Sequence, residues 1–138
     1  MSAAARLYTD VILDHARNPR NRGYLEPADI SYEDGSSVCG DEIRIDVRVN
    51  NDRIAEIAFS GRGCAVSQAS ASILTEMAEG MSLDQARALT EADLLAAIGG
   101  PVSRGRLGCA LLSLGVLRDG LRDGGSLDGR ETEFANSA

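Results

Sequence analysis

The chain has 138 residues, 43% of them hydrophobic and 25% charged, with a net charge of −7. That length suits one domain with one core. The acidic balance argues against a nucleic-acid binder, which needs basic surface to displace counterions from phosphates, and no apolar run is long enough to span a membrane. Three cysteines, an odd number, with no apolar leader before them do not suit a disulfide framework, so a reducing, cytoplasmic setting is expected. With three Tyr, two Phe and no Trp, the core must be built from Leu, Ile, Val and Ala.

In chain order, Leu7, Tyr8, Val11, Ile12 and His15 recur at helical spacing and predict a helix from about Ala3 to Arg17. Asn18-Pro19 ends it, because proline disfavours helix at the residue before it. His15, the only histidine, ends that stripe far in sequence from every cysteine and reads as a structural residue rather than a ligand. Ile30 and Tyr32 suggest a short strand. Glu42 to Val49 alternates Ile43, Ile45, Val47 and Val49 with Glu42, Arg44, Asp46 and Arg48, the pattern of a strand with one buried and one wet face. Asn50-Asn51-Asp52 makes a turn, and Arg53 to Ser60 returns as a second strand with Ile57 and Phe59 on one face, giving an antiparallel hairpin.

Ser60-Gly61-Arg62-Gly63-Cys64 then joins a strand end to a helix over about Ala65 to Glu79. The two glycines permit positive φ and leave room around the thiol, which lies by the first N–H groups of the helix, a setting suited to a metal-binding or sulfur-accepting cysteine. Gly80 closes this helix. Ser82-Leu83-Asp84-Gln85 has the form of a capping box opening a short helix to Leu89. Thr90-Glu91-Ala92-Asp93 opens another, with Leu94, Leu95 and Ile98 inward, that Gly99-Gly100-Pro101 stops. A last helix from Ser103 or Arg106 to Arg122 carries Leu107, Leu111, Leu114, Leu117 and Leu121, with Cys109 near its start. Residues 1–124 are expected to form one domain, and the Gly-, Asp- and Ser-rich residues 125–138 a disordered tail.

The hairpin carries a chemical consequence. Cys39 precedes its first strand and Cys64 follows its second, so Cys39, Asp41 and Cys64 should meet at one end of the sheet. With Cys109 they offer three thiolates and one carboxylate, a donor set for zinc or for iron with sulfide bridges. There is no C-x-x-C pair, however, and three ordinary buried cysteines remain an equal reading of the spacing.

Tyr8 through Asn18-Pro19-Arg20-Asn21, Cys39-Gly40-Asp41, Gly63-Cys64-Ala65-Val66-Ser67-Gln68-Ala69-Ser70-Ala71-Ser72 and Arg106-Leu107-Gly108-Cys109, in this order, resemble the IscU/NifU/SufU scaffold family from Leu7 to Leu121. The resemblance implies an α+β fold with a small antiparallel sheet of about three strands covered on one face by helices. It implies a site of Cys39, Asp41, Cys64 and Cys109 that assembles a [2Fe–2S] cluster, takes sulfur from a cysteine desulfurase and passes the cluster to acceptor proteins. Zinc is the alternative occupant of those ligands, in a sulfur acceptor where Cys109 would take the persulfide. The chain departs from the IscU pattern at Gly108, where that branch has histidine, and Gly100-Pro101-Val102-Ser103-Arg104 lacks that branch's chaperone-read segment. It is SufU-like at Arg106 and in residues 68–72, yet the spacing from Cys64 to Cys109 is too short for the SufU insertion.

Overall fold

The alternating run around Ile43 forms the middle strand of the sheet, as period-two patterning requires where one face is buried. The computed structural model describes residues 9–36 and 40–123. Through them run α1 (Asp10–Arg17), β1 (Ile30–Ser36), β2 (Asp41–Asn50), β3 (Arg53–Arg62), α2 (Ala65–Ala78), α3 (Leu83–Arg87), α4 (Glu91–Ile98), a 3₁₀ turn (Arg104–Arg106) and α5 (Leu107–Asp123). The strands make one antiparallel sheet in the order β1-β2-β3. Helix α2 packs on β3, and α5 on β1 and β2, while α1 and α4 close around α2 and α5. The fold is the expected α+β arrangement.

The hairpin forms as the sequence predicts. Asn51 and Asp52 take φ of 54° and 61°, the left-handed pair of a tight two-residue turn. Pairing then runs from Asn50↔Arg53 to Glu42↔Arg62, which sets the start of β2 beside the end of β3. Ile43, Ile45, Val47, Ile57 and Phe59 point into the core with Val66, Leu74, Leu94, Ile98, Leu114, Leu117 and Leu121. Both expected capping boxes are present, Ser82 with Gln85 and Thr90 with Asp93, and Gly99 ends α4 at φ 82°.

Three expectations are corrected. Asp46, expected on the wet face of β2, is only 1% exposed. Residues 18–29 cross that face as a strap, from Asn21 and Gly23 on the β3 edge to Asp29 at the start of β1. Phe59 N–H donates to Asn21 O, and Gly23 N–H to Phe59 O. Under this strap Asp46 accepts from Leu25 N–H, Ser31 Oγ and Arg44 Nε, at 2.8 to 3.1 Å. A buried carboxylate needs such partners. Val11 is 37% exposed, so the inward face of α1 narrows to Ile12 and His15; this helix begins at Asp10 behind the Thr9 cap, and residues 1–8, with Leu7 and Tyr8, lie outside the described residues. Leu107 is likewise 37% exposed, because α5 meets the core only from Cys109 and Ala110 onward. The expected tail also lies outside the described residues. Among those described, no helix is long and apolar enough to cross a membrane.

Candidate metal centre

Each potential ligand is brought in by a different element. Asp41 opens β2, Cys64 is the N-cap residue of α2, and Cys109 lies in the first turn of α5. One donor atom from each falls within 4.8 Å of the other two. The hairpin register accounts for Asp41 and Cys64, and the packing of α5 across the sheet brings Cys109 to them. Cys39, the fourth expected ligand, lies outside the described residues.

Asp41 and Cys109 are each 2% exposed, whereas Cys64 is half-buried. The Asp41 carboxylate divides its oxygens: Oδ1 accepts from the Cys64 N–H at 3.0 Å, and Oδ2 stands 3.8 Å from Cys64 Sγ. The Cys64 carbonyl in turn accepts from Gln68 N–H and Ser67 Oγ, both at 3.0 Å. Gly61 has φ of 125°, and a Cβ there would collide with the Glu42 carbonyl, so this position requires glycine. Gly63 has no positive φ. The room it leaves is filled by the Asp41 carboxyl group, since a Cβ there would stand 2.6 Å from Oδ1. Gly63 and Ser67 thus belong to the site. Their signal in the sequence was the Gly-Cys pair and a serine three residues on, at the position where a side chain can reach back to the helix N-terminus.

Two thiols and a carboxylate, gathered in a mostly buried pocket, fit a soft or borderline metal such as zinc or iron. Basic residues flank the group. Arg62, whose Nε pairs with Glu42 at 2.9 Å, precedes Gly63, and Arg104 and Arg106 lie in the exposed turn before α5. Among the described residues, nothing lies within 4 Å of where a Cβ at Gly108 would stand.

His15 belongs elsewhere. Its Nδ1 lies 2.7 Å from Ser72 Oγ and its Nε2 3.5 Å from Glu76, about two to three helical turns along α2 from Cys64. Burial holds the imidazole below its ordinary pKa, and the Arg20 charge adds to this. This is the structural histidine the sequence predicts.

The iron–sulfur cluster assembly scaffold protein IscU 1 of Archaeoglobus fulgidus is 36% identical over 126 residues, covering 88% of this chain and 82% of that one. The zinc-dependent sulfurtransferase SufU of Bacillus subtilis is 36% identical over 85 residues, 62% of this chain and 57% of that one. The crystal structure of the N-terminal part of a NifU-like protein from Brucella abortus shares the fold, with a TM-score of 0.72 at 22% identity, covering 88% of this chain and 96% of that one. Residues 7–124 match the NifU-like N terminal domain, and the chain therefore belongs to this family, together with the IscU and SufU proteins.

Proposed function

We propose that this protein is an assembly scaffold for iron–sulfur clusters, holding iron and sulfide on Cys39, Asp41, Cys64 and Cys109 and passing the finished [2Fe–2S] cluster to acceptor proteins. The observation that carries this reading is the convergence of Asp41, Cys64 and Cys109 from three elements into one pocket. The cluster is cargo. Thiolates bind its iron strongly, while a carboxylate is a harder and more exchangeable donor. Asp41 is therefore the ligand at which the cluster is released. Cys64 is the half-buried member of the group, and Asp41 and Cys109 are buried. Sulfur would come from a cysteine desulfurase.

The test is anaerobic titration of the metal-stripped protein with iron and sulfide, followed by visible thiolate-to-iron absorption. A stoichiometric signal that weakens in Cys39→Ser, Cys64→Ser and Cys109→Ser is the expected result. Asp41→Ala should form a longer-lived cluster that transfers more slowly to an acceptor; an unchanged transfer rate removes Asp41 from the release step.

The similarity to a zinc-dependent sulfurtransferase supports a second reading. There zinc would be held by the same residues and would keep the site's thiols as thiolates. Cys109 would accept sulfur by attacking the outer sulfur of a desulfurase persulfide. A new S–S bond forms at Cys109, the donor's S–S bond breaks, and the donor cysteine leaves as a thiolate with no net oxidation. Cys109 is buried, so its turn must move; among the described residues, Gly105 and Gly108 near it have nothing within 4 Å of where a Cβ would stand. Desulfurase stimulation that vanishes in Cys109→Ser while zinc stays bound would favour this reading. A protein that takes up zinc but gives no iron–sulfide signal would decide for it.

A further inference from the structure

Gly63 lies between Asp41 and Ser67. A methyl group on its Cα would come within 2.6 Å of Asp41 Oδ1 and 2.7 Å of Asp41 Cγ, and would also strike Ser67 Oγ. The backbone does not ask for this glycine, because its φ is not positive. The missing side chain instead leaves the space in which a carboxyl group, 2% exposed, is seated. In that seat the Cys64 N–H holds Oδ1 at 3.0 Å, and Oδ2 lies beside Cys64 Sγ.

We propose that Gly63 is a positioning residue: the space it leaves, with the Cys64 N–H on Oδ1, seats the Asp41 carboxylate beside Cys64 Sγ, where it would serve as a metal ligand. Seated there, the carboxylate would reach a metal held by Cys64 and Cys109 without first having to be ordered, and an orienting contact of this kind strengthens binding. The inference rests on the reading of Cys39, Asp41, Cys64 and Cys109 as a metal site.

The test titrates the metal-stripped full chain with cobalt(II). The thiolate-to-cobalt charge-transfer band reports the cysteines, and the visible ligand-field bands report the geometry at the fourth donor. Gly63→Ala should keep the charge-transfer band. Its ligand-field bands should become those of Asp41→Ala, and its affinity should fall about 10- to 100-fold, the size usual for a lost orienting contact. In the Asp41→Ala background, Gly63→Ala should add nothing. Wild-type bands and affinity in Gly63→Ala overturn the proposal. So does an undiminished effect in the Asp41→Ala background, which would assign it to Ser67 or the backbone.

Asp41→Asn keeps the inference open to test even if Gly63→Ala fails to fold. It retains a carbonyl for the Cys64 N–H and fills the seat. It should bind cobalt as weakly as Asp41→Ala but melt above it. A melting temperature as low as that of Asp41→Ala, or wild-type affinity, counts against the seat. A wild-type chain with no cobalt–thiolate band overturns the metal-site reading and the seat with it. A wild-type band with an unresponsive Gly63→Ala overturns the seat alone.

Discussion

His15 shows how a single side chain is committed to structure. Ser72 Oγ accepts from Arg20 N–H at 2.8 Å and lies 2.7 Å from His15 Nδ1, while His15 Nε2 lies 3.5 Å from Glu76. Burial is the main cause of its lowered pKa, with Arg20 reinforcing it and Glu76 and Asp14 opposing. Because the folded value lies below the unfolded one of about 6.5, the unfolded chain takes up the proton first as pH falls. The His15 contribution is therefore whole above pH 6.5 and declines as pH drops below it. The stability difference between wild type and His15→Gln, from denaturant melts, should be largest at neutral pH and shrink toward pH 5. A constant difference would show that the imidazole does not titrate differently in the two states. The sequence identified His15 as structural from its place at the end of a stripe; its partner Ser72 was not legible, because only the packing of α1 against α2 brings them together.

At the scale of elements, local chemistry and tertiary packing divide the work. Helix α4 has eight residues, too short to be stable alone. Its ends are set by sequence: Thr90 and Asp93 exchange bonds of 3.1 and 2.9 Å at the start, and Gly99 turns the chain at the end. Thr90→Ala should cost about 1 kcal/mol, seen as a lower denaturant midpoint with an unchanged slope. No shift would mean that burial of Leu94 and Ile98 alone sets the helix. Helix α2 is the opposite case. Val66, Ser67, Ala69 to Thr75 and Ala78 are all buried, so it lacks a wet face from which a helical stripe could be read. Its position came from its glycine boundaries. The strands were legible by alternation, except where the strap overrides it at Asp46: a polar residue in a wet-face position carries no sign that a loop will cover it. The meeting of Asp41 and Cys64 followed from the hairpin. The approach of Cys109 had no local signal and came only from family resemblance.

The whole molecule joins the site to folding. Its described ligands come from β2, α2 and α5, so the pocket exists only when sheet and helices are assembled. A metal that binds there stabilises the folded chain by mass action, roughly 2.7 kcal/mol at a hundred times its Kd. Adding zinc to the metal-stripped protein should raise its melting temperature in step with concentration, and Cys64→Ser should blunt the gain; a zinc-independent melt would separate the pocket from metal binding. The strap of residues 18–29 has an effect at this scale too. By taking the N–H and C=O of Phe59, it interrupts the outer margin of β3, while β1 stands at the other end of the strand order. A sheet of three strands ordinarily has two margins where a fourth can add. This one is zipped part-way along one of them, so accretion of strands, as in a crowded refolding mixture, is steered to the β1 margin.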